Sequence, residues 1–391
     1  MKNTVNSIFQ QYGNEYRKKH PFLSRHEKNV MFAIEACRTE ILGARIESCN
    51  ECGYKQILYN SCRNRHCPQC QSMKKEQWIQ DKQNEVFPFQ YFHAVFTLPG
   101  KLIPLVLRNK SVMYKLLFDA VKETLLSVAG EEKYFGAKIG FFSILHTWGQ
   151  KLNMHPHLHC VVPGGGYSQK KKRWVHAPQN YLLPIEVLKR RFRSRFLVSL
   201  KALYTSGDLQ CQTTEYVNPV NFQKLIDALF SAEWVVYIKE SFQNSKSVIQ
   251  YLSRYTHRIA ISNYRIQKVE NGEVTFSYKD YREGNAKKSK TVPVLTFMHL
   301  FMQHVLPKRF VRIRYYGLIS NRNKSKNLEA CYQALGLRRK KNEEAKTWDM
   351  LLEEVTGVNP KKCPVCEHGE LVTEMLLPGA RGSPGENSIA V

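Results

Sequence analysis

Apolar residues recur along the chain with two distinct periods. In "RHEKNVMFAIEACRTEIL", Val30, Ile34, Cys37 and Ile41 fall three to four residues apart, on one face of a helix, and residues 1 to about 45 read as helical. "KLIPLVLRNKSVMYKLLFDAVKETLLSVAG" and "SVIQYLSRYTHR" (247–258) also read as helix, and "VLTFMHLFMQHVLP" as a helix that Pro307 ends. In "LPIEVLKRRFRSRFLVSLKALY" (183–204), Leu188, Phe192, Phe196 and Leu200 form an apolar stripe. Lys189, Arg190, Arg191, Arg193 and Arg195 line most of the remaining surface. Strands are predicted in "YFHAVFTLPG" (91–100), "KIGFFSILHTW", "HLHCVVP" and "EWVVYIKESF" (233–242). "RIAISNYRIQKVENGEVTFSYKDY" reads as a hairpin turning at Asn271-Gly272. Strands and helices alternate through the middle of the chain, so a mixed α/β core is expected. From about residue 375 the chain is rich in Gly, Pro and Ser, and a disordered tail is expected there. No internal repeat is visible.

Length and composition narrow the class. A chain of 391 residues, 43% hydrophobic, can bury a large core in two or three domains. It has no apolar run long enough for a membrane span and no signal-peptide pattern at its start. An intracellular protein without membrane association is expected. There are 59 Lys+Arg against 33 Asp+Glu, a net charge of +26, which fits a polyanionic partner, nucleic acid first. The basic residues cluster in "QKKKRW", "LKRRFRSRF", "KRFVRIR" and "LRRKKN", interleaved with aromatics, as suits a groove that holds phosphates and stacks bases.

Eleven cysteines in such a chain point to metal rather than disulfides. Cys49-x2-Cys52 and Cys67-x2-Cys70, fourteen residues apart, have the spacing of a tetrahedral thiolate site, and one structural Zn²⁺ is expected on these four. Cys62 and His66 lie within the segment and are read as packing groups, with a ligand role left open. A closed site of this kind leaves no position for substrate, so the module is expected to shape a DNA-binding surface. "KKCPVCEHGE" carries Cys363, Cys366 and His368, half a zinc site that is either completed by a distant ligand or a relic that binds no metal.

Histidine is concentrated as well. Of 13 in the chain, four fall between residues 146 and 159. His157 and His159 share one strand face. "WGQKLNMHP" supplies Gly and Pro for a reversal, and an antiparallel pairing would bring His146 alongside. One histidine on a strand is commonly a packing group, but three converging imidazoles make an open metal site. Their chemistry admits Mg²⁺, Mn²⁺ or Zn²⁺. In a basic protein such a site suits phosphodiester chemistry. Downstream, Tyr251 and Tyr255 stand at i, i+4 on one helix face, with Arg254 and Arg258 beside them to meet phosphates. Taken alone, such a pair is usually packing.

The combination resembles a known family. The cysteine-rich segment with "YNSCRNRHCPQCQ", "FTLPG", "LHTWGQ", "HPHLHCVVPGGG", "YLSRYTHRIAISNYRI", "VENGEVTFSYKDYREGN" and "HVLPKRFVRIRYYGL" resemble the rolling-circle transposases of the IS91 family, the two-tyrosine class named for its His-hydrophobic-His (HUH) motif. The resemblance runs from about residue 15 to about 325. It implies an α+β fold, in which an HUH endonuclease core, a five-stranded antiparallel sheet flanked by helices, carries the histidines on a central strand. It also implies an N-terminal zinc-binding module and a basic helical C-terminal region. The expected organisation is a zinc-binding DNA-binding domain over 1–88, a catalytic domain with tyrosine helix and hairpin over 89–285, a basic region over 286–374 and the tail over 375–391. His157 and His159 match the HUH pair and Tyr251 and Tyr255 the nucleophiles. In single-tyrosine relatives a third ligand follows the tyrosine by four residues. Ile259 stands there, which favours His146 instead.

The function implied is that of a DNA strand transferase and endonuclease acting through a 5′-phosphotyrosine, with Mg²⁺ or Mn²⁺ at the histidines and Zn²⁺ at the cysteines. Lys189, Arg190, Arg193, Arg254 and Arg258 are expected to bind DNA. Single-stranded DNA at transposon ends is the expected partner, with host replication machinery as a second, in the bacterial cytoplasm at the nucleoid. Two other readings fit the same residues: a plasmid relaxase or replication initiator, and a non-catalytic zinc-containing DNA-binding protein.

Overall fold

The structure, a computed structural model, describes residues 3–83, 90–178, 181–211, 214–242, 260–338 and 346–379. The chain opens with helices α1 (Val5–Lys19) and α2 (Arg25–Ala36). Each begins in a capping box: Thr4 with Ser7, and Ser24 with Glu27, exchange side-chain and backbone hydrogen bonds that satisfy otherwise orphaned N–H groups. Strands β1 (Ala44–Cys49) and β2 (Lys55–Tyr59) form a hairpin, followed by α3 (Pro68–Gln83). Then come β3 (Tyr91–Thr97), α4 (Ile103–Arg108), α5 (Lys110–Gly130), β4 (Gly140–Trp148), β5 (Met154–Pro163), β6 (Gly165–Ser168) and β7 (Arg173–His176). Helices α6 (Ile185–Thr205) and α7 (Pro219–Ser231) precede β8 (Val236–Phe242). After the next described residues come β9 (Ile266–Glu270), β10 (Glu273–Asp280), β11 (Ala286–Pro293), α8 (Val294–Met302), β12 (Ile313–Gly317), α9 (Lys324–Ala334), α10 (Trp348–Thr356) and β13 (Leu371–Leu377).

The centre is a five-stranded sheet in the order β12-β4-β5-β3-β8, antiparallel throughout. Alternation along the strands gives it two unlike faces. Phe92, Ala94, Phe96, Phe141, Leu145, Leu158, Cys160 and Val162 point to one side, into the largest core. There the apolar stripe of α6 covers them, with Phe192 edge-on to Phe96 at 5.2 Å between ring centroids. Fully burying one such ring stabilises by about 1.5–3 kcal/mol. The opposite face carries Tyr91, Phe142, Ile144 and Val161, packed with Leu328, Cys331 and Tyr332 of α9, and the histidines.

A further core joins α1, α2, α8 and the sheet β11-β10-β9, with Phe9 against Phe301 and Phe276 against Phe297. The β9–β10 turn falls at Asn271-Gly272 as predicted. Both residues have positive φ, 49° and 73°, which a two-residue hairpin turn of this hand requires.

The chain departs from its sequence reading in three places. The helical reading up to about residue 45 stops at Cys37, where the backbone turns extended, and Ala44 already begins a strand. The tail expected from 375 begins too early: Met375, Leu376 and Leu377 belong to β13, which pairs with β1 in the sheet β13-β1-β2. The boundary at 285 divides β10 from β11, and residues beyond it enter both cores, since α8 packs on α1 while β12 is an edge strand of the central sheet. Among the described residues no helix is long and apolar enough to cross a membrane.

Candidate active site and metal centres

β4 and β5 pair antiparallel in a register that sets His146 opposite His157 and Ile144 opposite His159. The three imidazoles therefore share one face of the central strands, and their ligand nitrogens lie within 4.8 Å of one another. The reversal is made by residues 149–153: the Gly149 N–H donates to the Asn153 carbonyl at 2.9 Å, and Leu152 takes a left-handed conformation while fully buried. Pro156, expected in the turn, lies within β5, where its carbonyl accepts from the Leu98 N–H.

The hydrogen bonds orient the rings. His157 Nδ1 lies 2.6 Å from the His155 carbonyl, which can only accept, so Nδ1 carries the proton. Burial, reinforced by the neighbouring His155, pushes the His157 pKa down to about 3. The ring is thus neutral and its Nε2 presents a lone pair. That Nε2 stands 3.1 Å from His159 Nε2. His159 Nδ1 is in turn held at 2.7 Å by Nε2 of His93, from β3, with the rings stacked 8° from parallel. Burial first, and then His146 and His157, hold His159 well below the ordinary imidazole range. Burial lowers His93 to about 4. Neutral imidazoles are what a metal binds. Two nitrogens at right angles around one ion at about 2.1 Å stand about 3 Å apart, so the His157–His159 pair fits a divalent cation.

Two further groups crowd the site. Trp148 stacks on His146 at 4.4 Å, and the buried Arg312 guanidinium lies 5.8 Å from the Trp148 ring. Burial lowers its pKa to about 9. Sequence reading placed Arg312 only within a basic run, and missed His93, a polar residue within an apolar strand.

Other expected residues are not gathered here. Tyr251, Tyr255, Arg254 and Arg258 lie outside the described residues. Lys189, Arg190 and Arg193 are on α6, across the sheet from the histidines. Arg193 donates to the Phe230 carbonyl at 2.8 Å and covers that ring, and Lys189 pairs with Glu186 at 2.8 Å.

The cysteines correct the sequence reading. Cys49 and Cys52 do not meet Cys67 and Cys70. Instead Cys37, Cys62, Cys67 and Cys70 form one cluster, and Cys49, Cys52, Cys363 and Cys366 another. The β1–β2 hairpin is the reason. Cys49 and Cys52 sit at its tip, while Cys62 lies past its open end beside Cys37, whose sulfur accepts from the Cys62 N–H at 3.5 Å. Strands of five residues span about 17 Å, too far for one ion. In the first cluster, Cys70 Sγ lies 3.5 Å from Cys37 Sγ and 3.6 Å from Cys62 Sγ. Hydrogen bonds from Cys37 and Cys62 hold the Cys67 thiol well below its ordinary range and bring Cys70 to about 7. Cys67 immediately precedes α3 and Cys70 is in its first turn, and the positive end of that helix favours thiolates. Helical spacing reads Cys37 as an apolar position; the signal for its ligand role is the number of cysteines, enough for two groups of four. His66 is no ligand: its Nε2 accepts from the Leu306 N–H at 3.1 Å and Nδ1 faces Asn64, tying the zinc module to the segment before β12. Arg65 does the same through the Phe310 carbonyl at 2.8 Å.

Comparisons with known proteins show the family. Residues 140–327, which hold the histidines, match a family model described as "Putative transposase", and residues 8–98 match one described as "Transposase zinc-binding domain". The chain is 43% identical over 385 residues to "Putative transposase y4qJ" of Sinorhizobium fredii, covering 97% of both chains. It is 28% identical over 356 residues to "Transposase for insertion sequence element IS801" of Pseudomonas savastanoi pv. phaseolicola, covering 87% of this chain and 82% of that one. The chain belongs to the IS91 family of transposases. No solved structure matches it.

Proposed function

We propose that the protein is a rolling-circle DNA transposase that binds the ends of its insertion sequence, and cleaves and rejoins single-stranded DNA there through a 5′-phosphotyrosine. The observation that carries this reading is the convergence of His146, His157 and His159 on one face of an antiparallel sheet, the last two oriented by hydrogen bonds and held neutral by burial, in a chain of a transposase family. Such a cluster supplies Lewis-acid polarisation of a phosphate oxygen when it holds Mg²⁺ or Mn²⁺.

The chain's own groups do the rest. The hydroxyl of Tyr251 or Tyr255 attacks the scissile phosphorus. The P–O3′ bond breaks, the phenol proton ends on the departing 3′ oxygen, and the phosphate remains esterified to tyrosine. The new ester conserves the energy of the old one, so no nucleotide is consumed. The freed 3′-OH serves either as a replication primer, which host polymerase would extend, or as the nucleophile that resolves the joint. With the His159 Nδ1–H donating to His93, both Nε2 lone pairs point at one spot. Arg312 adds positive charge beside them for the phosphate. The Cys37 cluster, closed by four thiolates, takes no part in bond breaking and holds a structural Zn²⁺ that shapes the DNA-binding face.

The test is a denaturing gel. Single-stranded oligonucleotides from the element's own ends, incubated with protein and Mg²⁺, should yield a covalent protein–DNA adduct and a free 3′-ended fragment. Absence of any adduct under conditions where the oligonucleotide is bound would reject the reading.

A further inference from the structure

The second cysteine cluster reaches beyond the zinc-binding domain: Cys49 and Cys52 lie within its match, which ends at residue 98, and Cys363 and Cys366 do not. Cys363 and Cys366 lie some three hundred residues away, yet Cys366 Sγ stands 3.6 Å from Cys49 Sγ, and Cys363 Sγ 3.6 Å from Cys52 Sγ. We propose that Cys49, Cys52, Cys363 and Cys366 bind a second structural zinc ion, which clips the C-terminal segment onto the N-terminal hairpin.

Four observations support it. Sulfurs about 2.3 Å from one tetrahedral zinc stand about 3.8 Å apart, close to the spacing found and far longer than a disulfide. The cysteines arrive as two turns of the same kind: Cys49 Sγ accepts from the N–H groups of Glu51 and Cys52 at 3.4 and 3.5 Å, and Cys363 Sγ from that of Val365 at 3.4 Å. Cys366 Sγ accepts from the Gly369 N–H at 3.3 Å. Backbone donors aimed at sulfur favour thiolates, the form that binds metal. Apolar packing does not account for the cluster, because Cys52 is exposed. Finally, a Cβ on Gly369 would stand 2.4 Å from Cys49 Sγ, so the turn after Cys366 closes over the site only because that residue is glycine.

The surrounding backbone is built around the same junction. The Asn50 N–H donates to the Glu370 carbonyl at 3.1 Å, the Glu370 N–H to Asn50 Oδ1 at 2.8 Å, and β13 pairs along the whole of β1 from Ala44 to Cys49. β1 is thus the middle strand of its sheet only while the clip holds β13. Released, β1 would present an open edge. The C-terminal segment is on this view part of the zinc module rather than an appendage.

The test uses the full chain. Native, zinc-loaded protein is treated with an alkylating agent, and modified cysteines are identified by mass. Cys52 and Cys366, the two that are not buried, should be protected at least tenfold relative to protein stripped with a strong chelator. Equal rates before and after stripping would overturn the proposal without depending on any variant. A second arm replaces zinc by Co²⁺ and reads the thiolate-to-cobalt absorption, to which the histidines contribute nothing. The Cys363→Ser/Cys366→Ser protein should lose about half of the band and become cleavable by protease ahead of β13. Retention of the full band would overturn the proposal. Neither arm involves DNA cleavage, so the outcome is independent of the catalytic reading above.

Discussion

Nε2 of His93 lies 2.7 Å from Nδ1 of His159, although the two residues sit on different strands and are 66 positions apart. His93 therefore orients His159 without reaching the cleft nitrogen itself. Partners of this kind typically affect metal affinity by 10- to 100-fold. His93→Ala is expected to raise the Mn²⁺ concentration needed for half-maximal cleavage by about that factor, with saturating metal recovering most of the rate. His93→Gln, which keeps a polar group, should fall between. Unchanged metal dependence in His93→Ala would remove this role.

Removing the histidines should separate chemistry from folding. EDTA should abolish adduct formation, and added Mg²⁺ or Mn²⁺ should restore it. His157→Ala/His159→Ala should leave adduct below about a hundredth of wild type, the scale of loss of a main electrostatic stabiliser, while circular dichroism and the Cys37-cluster zinc are retained. Full cleavage by this variant would show that the histidines hold no catalytic metal.

The tyrosines form a separate test. One nucleophile suffices to cleave, but two allow one to hold a 5′ end while the other attacks a second strand. Tyr251→Phe and Tyr255→Phe are each expected to retain some cleavage in vitro and lose most transposition in cells. The double Phe variant should give no adduct yet bind single-stranded DNA nearly as wild type, since only two hydroxyls are gone. Covalent attachment in the double variant would place the nucleophile elsewhere.

Acid should weaken the fold through buried histidines. Burial lowers His93 and His304 to about 4, and both are nearly inaccessible. In the unfolded chain they titrate near 6.5. Below that pH the unfolded state binds more protons, so their contribution is complete above about 6.5 and lost as pH falls toward about 4. By pH 5 the loss is on the order of 1–2 kcal/mol for each. His304 is neutral by its bonds: Nε2–H donates to the Leu152 carbonyl and Nδ1 accepts from Thr147 Oγ1, both at 3.1 Å. Urea midpoints at pH 7.5 and 5.0 should differ, and the difference should shrink in His93→Gln and His304→Gln. A wild-type midpoint that does not fall at pH 5.0 would show that these rings are not held neutral.

Local spacing determined much of this protein. The i, i+2 pair His157 and His159, with a short reversal behind it, was enough to bring His146 alongside, because a hairpin of that length has few registers. The apolar stripe of α6 and the Asn271-Gly272 turn follow from helical period and left-handed turn geometry in the same way. Resemblance supplied the catalytic assignment, and Tyr251 and Tyr255 fall outside the described residues. Tertiary structure alone decided which cysteines share an ion. Cys49-x2-Cys52 and Cys67-x2-Cys70 look like one site when read along the chain, but a hairpin about 17 Å long separates them, and each pair finds partners elsewhere: Cys37 and Cys62 for one, Cys363 and Cys366 for the other. It also decided that His93 backs His159 and that the basic helix α6 covers the sheet face away from the histidines. These are contacts between strands and ends far apart in sequence. They depend on strand order and on which face each element covers, and no local period carries that information.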